Sequence, residues 1–342
     1  MTGWSKIVLF YPIFGHFEGR QSGFGIIIGV MRIAIFGAGS VGGYFGGRLA
    51  QAGEDVVFIA RSEHLRAIQS QGLRVDSPKG DFVIQPANAS DDPAEVGAVD
   101  VVILGVKAWQ VVEAARRMRP MLKEGACVVP LQNGVDAPFQ LAKELGIEYV
   151  LGGLCRIAAM VVAPGHIRHI GIEPYIAFGE LDNQPSQRCE RLREAFERAG
   201  VWAEIPQDIH AAMWQKFVFI AAISGVGAVT RQPIGVIRKI PETRRLLVEA
   251  LQEIVAVAEA RGVRLPPALV EKTLADIDRL PAGTTASMQR DIIEGRPSEL
   301  EAQNGAVVRL GAELGVPTPV HAFIYASLLP QEKMARGDLD QN

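Results

Sequence analysis

The chain has 342 residues, 48% of them hydrophobic and 21% charged, with a formal net charge of −3 at pH 7. That length gives room for about two domains with sizeable cores, and the charge balance excludes a global attraction to nucleic acid or to an anionic membrane, so any affinity for an anion must be built locally. Three cysteines, Cys127, Cys155 and Cys189, stand far apart in no metal-ligand spacing, which fits reduced thiols in the cytoplasm better than a disulfide framework.

Residues 1–30 carry Lys6, an apolar run broken by Pro12, then His16, Glu18 and Arg20 before GIIIGV. This makes a poor signal peptide and is too short to span a bilayer. A poorly ordered extension or an upstream start codon is expected here, with the fold beginning at Met31.

From Met31 to Ala50 the sequence MRIAIFGAGSVGGYFGGRLA reads as strand, glycine turn, helix. Arg32 to Phe36 is an almost unbroken apolar run, suited to a strand covered on both faces of a parallel sheet. Gly37, Gly39 and Gly42 follow in G-x-G-x-x-G spacing. The first glycine allows a tight turn, the second lets backbone approach a pyrophosphate, and the third lets helix pack on strand. The run Gly37, Ala38, Gly39, Ser40, Val41 and Gly42 is therefore the expected phosphate cradle, at the positive end of the helix.

DVVFIAR, residues 55 to 61, reads as a second buried strand. NAD-specific folds place an Asp or Glu at this tip for the ribose hydroxyls, whereas an arginine suits the 2′-phosphate of NADP. Arg61 and Ser62 stand here, with no carboxylate before Glu63, so NADP (NADPH) is the expected cofactor. Residues 73 to 86 suggest a hairpin turning at SPKGD, and AVDVVILGVK puts Lys107 at the carboxyl end of another strand, the edge where such sheets bind ligands. A helical stretch to about Met121 is followed by CVVPLQNG, which presents Gln132, Asn133 and Gly134 at the same edge. Two apolar segments in YVLGGLCRIAAMVV, then HIRHIG and YIAFGE, look like closing strands of a doubly wound domain. His166 and His169 have H-x-x-H spacing, but residues three apart on a strand face opposite sides, so no metal site is expected.

SQRCERLREAFERAG, 186 to 200, reads as an amphipathic helix capped by Ser186 and ended by Gly200. Beyond Pro206 the pattern turns helical throughout. The expected organisation is α/β: a Rossmann-type doubly wound domain over 31–206, an all-helical domain over 207–330 and a loose polar tail over 331–342. The helix around Ala211 to Val229 is apolar on nearly every face yet holds Lys216. Taking an ammonium out of water lowers its pKa toward the range useful for proton transfer, while a lysine that snorkels outward keeps its charge in water; the residues alone leave both open. Glu299 could be an acid with a chemical task or part of an S-x-x-E capping box running from Ser298 to Glu301, and Ser287 could equally be a helix cap.

Together these residues resemble the ketopantoate reductase (2-dehydropantoate 2-reductase) family from Met31 to about Leu329. The likeness is carried by GAGSVGGYFG, FIAR, VKAWQ, LQNGV, the GG.C..A pattern from Gly152, PGHIRHIG, the WQKF around Lys216, TTASMQRDI and SELEAQNG. The resemblance implies NADPH-dependent reduction of ketopantoate to pantoate, on the way to pantothenate and coenzyme A. It implies Lys216 as general acid, Glu299 as the acid that holds the substrate hydroxyl and orients the lysine, and Ser287 as a ligand of the substrate carboxylate. Lys107 and Asn133 fall beside the nicotinamide and the reacting centre. Ile220, Ser224 and Thr284 stand where the best-known members carry asparagines at the substrate, a departure that bears on specificity because polar groups matched to a substrate hydroxyl discriminate strongly. A paralogue reducing another 2-oxo acid, and a non-catalytic NADP-binding sensor, are the alternatives. The implied partner is a small 2-oxo acid, not nucleic acid or membrane; whether the chain forms a homodimer is not readable.

Overall fold

The computed structural model describes residues 29–339; the extension expected before Met31 lies outside the described residues as far as residue 28. The chain divides into two compact units, one holding residues 29–132 and Pro138–Ile209, the other Asn133–Ala137 and residues 210–339.

The first unit runs β1 (Arg32–Phe36), α1 (Ser40–Gln51), β2 (Asp55–Ile59), α2 (Ser62–Gln71), β3 (Leu73–Asp76), β4 (Phe82–Ile84), β5 (Asn88–Ser90), β6 (Val99–Leu104), α3 (Val111–Met118) and β7 (Leu122–Pro130). It continues with α4 (Ala137–Leu145), β8 (Leu151–Arg156), β9 (Ala159–Ala163), β10 (His166–His169), β11 (Tyr175–Glu180), α5 (Gln187–Arg198) and β12 (Trp202–Glu204). The main sheet has the order β5-β2-β1-β6-β7. Its strands are parallel throughout, with Ile35 paired to Phe58 on one side and Ile103 on the other. Such a sheet buries both faces, which is why β1 is apolar after Arg32: Ile33, Ala34 and Ile35 are each 0% exposed.

The apolar segments after residue 149 do form strands, but they do not extend this sheet. Strands β9 and β10 join β3 and β4 in the sheet β4-β3-β10-β9, and β8, β11 and β12 make the sheet β12-β11-β8. Their connections are the reason: β9 turns directly into an antiparallel β10, and β8 pairs antiparallel with β11, whereas joining a parallel sheet takes a long crossover. The expected hairpin of residues 73 to 86 is present as β3 and β4. Strand β2 stops at Ile59, so Arg61 is the N-cap of α2 rather than the last residue of a strand. Ser186 caps α5 by accepting from the Cys189 amide at 3.3 Å. The three cysteines are free and buried, and burial pushes the Cys127 thiol up to about 12 and that of Cys189 to about 11.

The second unit is helical: α6 (Ile209–Thr230, from His210 onward), α7 (Ile234–Ile237), α8 (Pro241–Ala260), α9 (Leu269–Arg279), α10 (Ser287–Ile293), a π-helical segment Glu301–Gly305, α11 (Ala306–Leu314) and α12 (Pro319–Arg336). Helix α6 is long and apolar enough to cross a membrane by length and composition, yet 67% of its apolar window is buried inside the protein. Trp214, Phe217, Val218, Ala221 and Val226 pack with Leu247, Leu251 and Ile254 of α8 in a core of their own, where each fully buried large side chain contributes about 1.5–3 kcal/mol. Val135 joins this core at 1% exposure, so the short strap Asn133–Ala137 is built into the helical unit although its sequence neighbours belong to the other.

The loose tail expected from residue 331 is corrected by the structure. Helix α12 runs through Pro330 to Arg336, and Glu332 is only 4% exposed. A proline inside a helix costs about 3 kcal/mol, which buried contacts beyond it must offset.

Candidate active site

In the first unit, Gly37 adopts φ +99°, open to glycine, and a Cβ there would lie 2.8 Å from the Val106 amide nitrogen. A Cβ on Gly42 would lie 2.2 Å from the Gly37 carbonyl oxygen, so this glycine lets α1 close onto the turn. Gly39, by contrast, faces open space and is the N-cap of α1, which has no side-chain cap and no acid in its first turn. Ser40, Val41 and Gly42 form that first turn, and Ala38 is buried beneath it. These features fit a dinucleotide pyrophosphate: uncapped N–H groups at a helix start, reached over a glycine without a Cβ.

Three more residues support this turn: Gly105, His64 and Gln132, of which only Gln132 is marked in the sequence, at the ligand edge. Gly105 follows β6, and a Cβ there would meet the Gly37 carbonyl at 2.8 Å. Gln132 donates from Nε2 to the carbonyls of Leu104 and Val106, both at 2.9 Å, and so fixes the wall that Gly37 abuts. His64 accepts the Gly165 amide at Nδ1 over 3.0 Å, which leaves Nε2 carrying the proton that it donates to the Ala38 carbonyl over 2.8 Å. Arg61 is exposed, its Nη2 3.4 Å from Glu113 Oε1. Lys107 is exposed at the N-cap of a 3₁₀ turn, its ammonium 5.8 Å from the centre of the Trp109 ring. The two strand histidines have separate partners: His166 meets Asp76 at 2.8 Å, and His169 meets Ser77 at 2.9 Å and the Ile172 carbonyl at 2.6 Å. Burial holds His169 below the usual histidine range. Among the described residues no group of three or more potential ligands is placed to hold a metal.

In the helical unit, Lys216 and Ile220 stand one turn apart on α6, both half-buried. Ser224, a turn further on, is 0% exposed and so offers a ligand no accessible surface, and its Oγ has no hydrogen-bond partner among the described residues. The segment carrying Glu299 is brought onto the same helix by Asn304, which donates to the Ala221 carbonyl at 3.3 Å; only a glycine at 225 leaves room for it, since a Cβ there would lie 2.4 Å from Asn304 Nδ2. Glu299 is 7% exposed and accepts from Asn133 Nδ2 at 3.2 Å. Thr284 accepts at its carbonyl from the Ile234 amide over 3.0 Å, and Ser287 opens α10. Lys216, Asn133, Glu299, Thr284 and Ser287 thus all belong to one unit, with Asn133 and Glu299 in direct contact.

The capping box that stood as the alternative reading of Ser298 and Glu301 is not formed. Ser298 gives its amide and its hydroxyl to Glu332, and Glu301 accepts from Tyr325 Oη at 2.5 Å instead. Burial, then this bond, pushes the Tyr325 phenol up to about 12. Both ends of the S-x-x-E pattern, Ser298 and Glu301, are drawn to α12, a long-range pull that local spacing does not reveal.

A parallel sheet opening on a glycine turn, followed by a helical unit that holds a lysine and a buried carboxylate, is the layout of a dinucleotide-dependent two-domain enzyme. The model of "Ketopantoate reductase PanE/ApbA" matches residues 33–183, and that of its C-terminal domain residues 208–332. An uncharacterised oxidoreductase of Bacillus subtilis is 32% identical over 300 residues, covering 87% of this chain and 98% of its own. A 2-dehydropantoate 2-reductase of Mesorhizobium japonicum is 32% identical over 310 residues, covering 84% and 94%. A PanE/ApbA family ketopantoate reductase from Ralstonia eutropha JMP134 superposes with a TM-score of 0.82 at 32% identity, covering 90% of this chain and 100% of the other. The chain belongs to the ketopantoate reductase family and is an oxidoreductase of that family.

Proposed function

We propose that the protein uses NADPH to reduce ketopantoate to pantoate in the cytoplasm, a step toward pantothenate and coenzyme A. The carrying observation is the Asn133–Glu299 bond in the unit that also holds Lys216, because it fixes a buried carboxylate in the same unit as the proposed general acid. The names of the relatives support the substrate, and Arg61, with no carboxylate at its position, supports NADP over NAD.

Residues 37–42 would hold the pyrophosphate, Arg61 the 2′-phosphate, and Lys107 the nicotinamide side; the bound dinucleotide supplies a hydride. Lys216 gives its proton to the substrate carbonyl oxygen as that oxygen gains charge, and its own charge stabilises the forming alkoxide. Glu299 accepts from the substrate hydroxyl, with Asn133 keeping the carboxylate in place. Ser287 and Thr284 receive the substrate carboxylate. Ile220 favours a second reading, another 2-oxo acid with an apolar chain, because a half-buried isoleucine one turn from Lys216 cannot bond a hydroxyl.

The test is nicotinamide oxidation by purified protein with ketopantoate and a panel of 2-oxo acids, NADPH against NADH. Turnover on ketopantoate is expected, with Lys216→Ala lowering it by about a hundredfold or more while NADPH still binds. Faster turnover on another acid selects the second reading. Tight NADPH binding without oxidation of any acid would make the protein a sensor.

A further inference from the structure

The last turns of α12 grip the residue beside the buried carboxylate. Glu332, 4% exposed, accepts the Ser298 amide at 3.0 and 3.1 Å and the Ser298 hydroxyl at 2.5 Å. Arg336 closes the clamp, donating to Glu332 Oε1 at 2.6 Å and to the Ser298 carbonyl at 2.8 Å. The Leu300 amide donates to the Ser298 hydroxyl at 3.2 Å, so the backbone on both sides of Glu299 is tied to one buried acid. A carboxylate is desolvated here at a cost that these donors and one guanidinium offset, and the clamp lies next to the one acid that the proposed reaction uses.

We propose that Glu332 is a positioning residue: with Ser298 and Arg336 it sets where the Glu299 carboxylate stands against the substrate. This rests on the reading of Glu299 given above. Glu332→Gln keeps the shape but loses the charge, and Ser298→Ala removes the hydroxyl while leaving the amide bond. A clamp that only held α12 in place would change stability without regard to Glu299; a positioning clamp acts through it.

The experiment measures kcat, KM for the 2-oxo acid and for NADPH, and thermal midpoint for Glu332→Gln and Ser298→Ala, each in the wild-type and Glu299→Gln backgrounds. The expected result is a kcat about tenfold lower with KM for NADPH unchanged, and no further loss when Glu299→Gln is already present. Should Glu332→Gln fail to fold, Ser298→Ala and Arg336→Lys carry the same comparison. Losses that multiply independently of Glu299, or an unchanged kcat in folded variants, overturn the clamp and leave the function standing. Wild-type protein inactive on every 2-oxo acid, or Glu299→Gln as active as wild type, removes the reading of Glu299 and the clamp with it.

Discussion

The side-chain amide of Asn133 donates to Glu299 Oε2 over 3.2 Å, joining residues 166 positions apart. The strap that carries Asn133 is held to the helical unit along its length. Gly134 has φ +126° and would place a Cβ 2.9 Å from the Ala302 carbonyl oxygen, Val135 is in the core, and Asp136 accepts from Arg309. A residue following a strand of the α/β unit is thereby placed in the helical one, on the acid proposed to hold substrate.

Asn133→Ala is expected to lower kcat/KM for the 2-oxo acid about tenfold, because the carboxylate loses the donor that fixes it. Asn133→Asp, nearly identical in shape, is expected to be worse than alanine, since it sets a second negative charge against Glu299. Steady-state kinetics of both variants decide the matter; an aspartate variant as active as the wild type would show that the bond does not matter to turnover.

The elements that local rules govern were legible. The glycine turn, β1, the β3–β4 hairpin, the Ser186 cap and the buried α6 each follow from period, spacing or capping chemistry, all of which act within a few residues. What was not legible depends on distant partners. The strands after residue 149 were recognised as strands, but their sheets are set by pairings that sequence periodicity does not encode. Glu332 sits in the run QEKMAR after Pro330, and its buried contact with Ser298 ties down a helix end whose other residues stay exposed or half-buried. Lys216, Glu299 and Ser287 had bland local readings, and it was the resemblance of whole motifs that set them apart. His64 and Gly105 carry no local signal beyond their type, and the strand end that marks Gln132 does not reveal its partners, since each acts through backbone groups of another segment.

Arg61 presents its guanidinium on the surface, with Glu113 as a partner at 3.4 Å between side chains 54% and 65% exposed. So exposed a pair is weak, and a phosphate dianion would outcompete it. Arg61→Ala is expected to weaken NADPH binding about tenfold or more and NADH far less, and Glu113→Gln to tighten NADPH about twofold. Fluorescence titration of each nucleotide checks both; equal weakening of the two by Arg61→Ala would place the 2′-phosphate elsewhere.

His64 bridges the Ala38 carbonyl and the Gly165 amide, two backbone groups from distant segments. His64→Ala leaves both without this partner, at about 1–3 kcal/mol for each that water does not reach. A lower thermal midpoint is expected, together with several-fold weaker dinucleotide binding, because Ala38 lies within the glycine turn. Denaturation and titration on the same preparation test this. Lost stability with unchanged nucleotide affinity would show that the bridge supports the fold but not the cradle.

His321 is 0% exposed, neither ring nitrogen has a hydrogen-bond partner among the described residues, and burial lowers its pKa from 6.5 to about 4. The unfolded chain binds a proton at this residue once the pH falls below 6.5, while the folded protein refuses it until about 4. The folded state is therefore fully stable with respect to this group above pH 6.5, loses stability as the pH falls through that window, and has lost about 3 kcal/mol below it at 1.36 kcal/mol per unit. Glu253 beside it accepts the Val320 and His321 amides at 2.7 and 3.0 Å, and burial holds its carboxyl above the usual range. It is present in wild type and variant alike, so comparison of the two isolates the histidine. His321→Leu removes an unpartnered polar ring from an apolar site and is expected to match or exceed wild-type stability at neutral pH and to fall less on acidification. Urea unfolding of both proteins at about pH 7.5 and about pH 5 measures the difference; parallel losses of stability would mean that His321 takes up its proton in the folded state as readily as in the unfolded one.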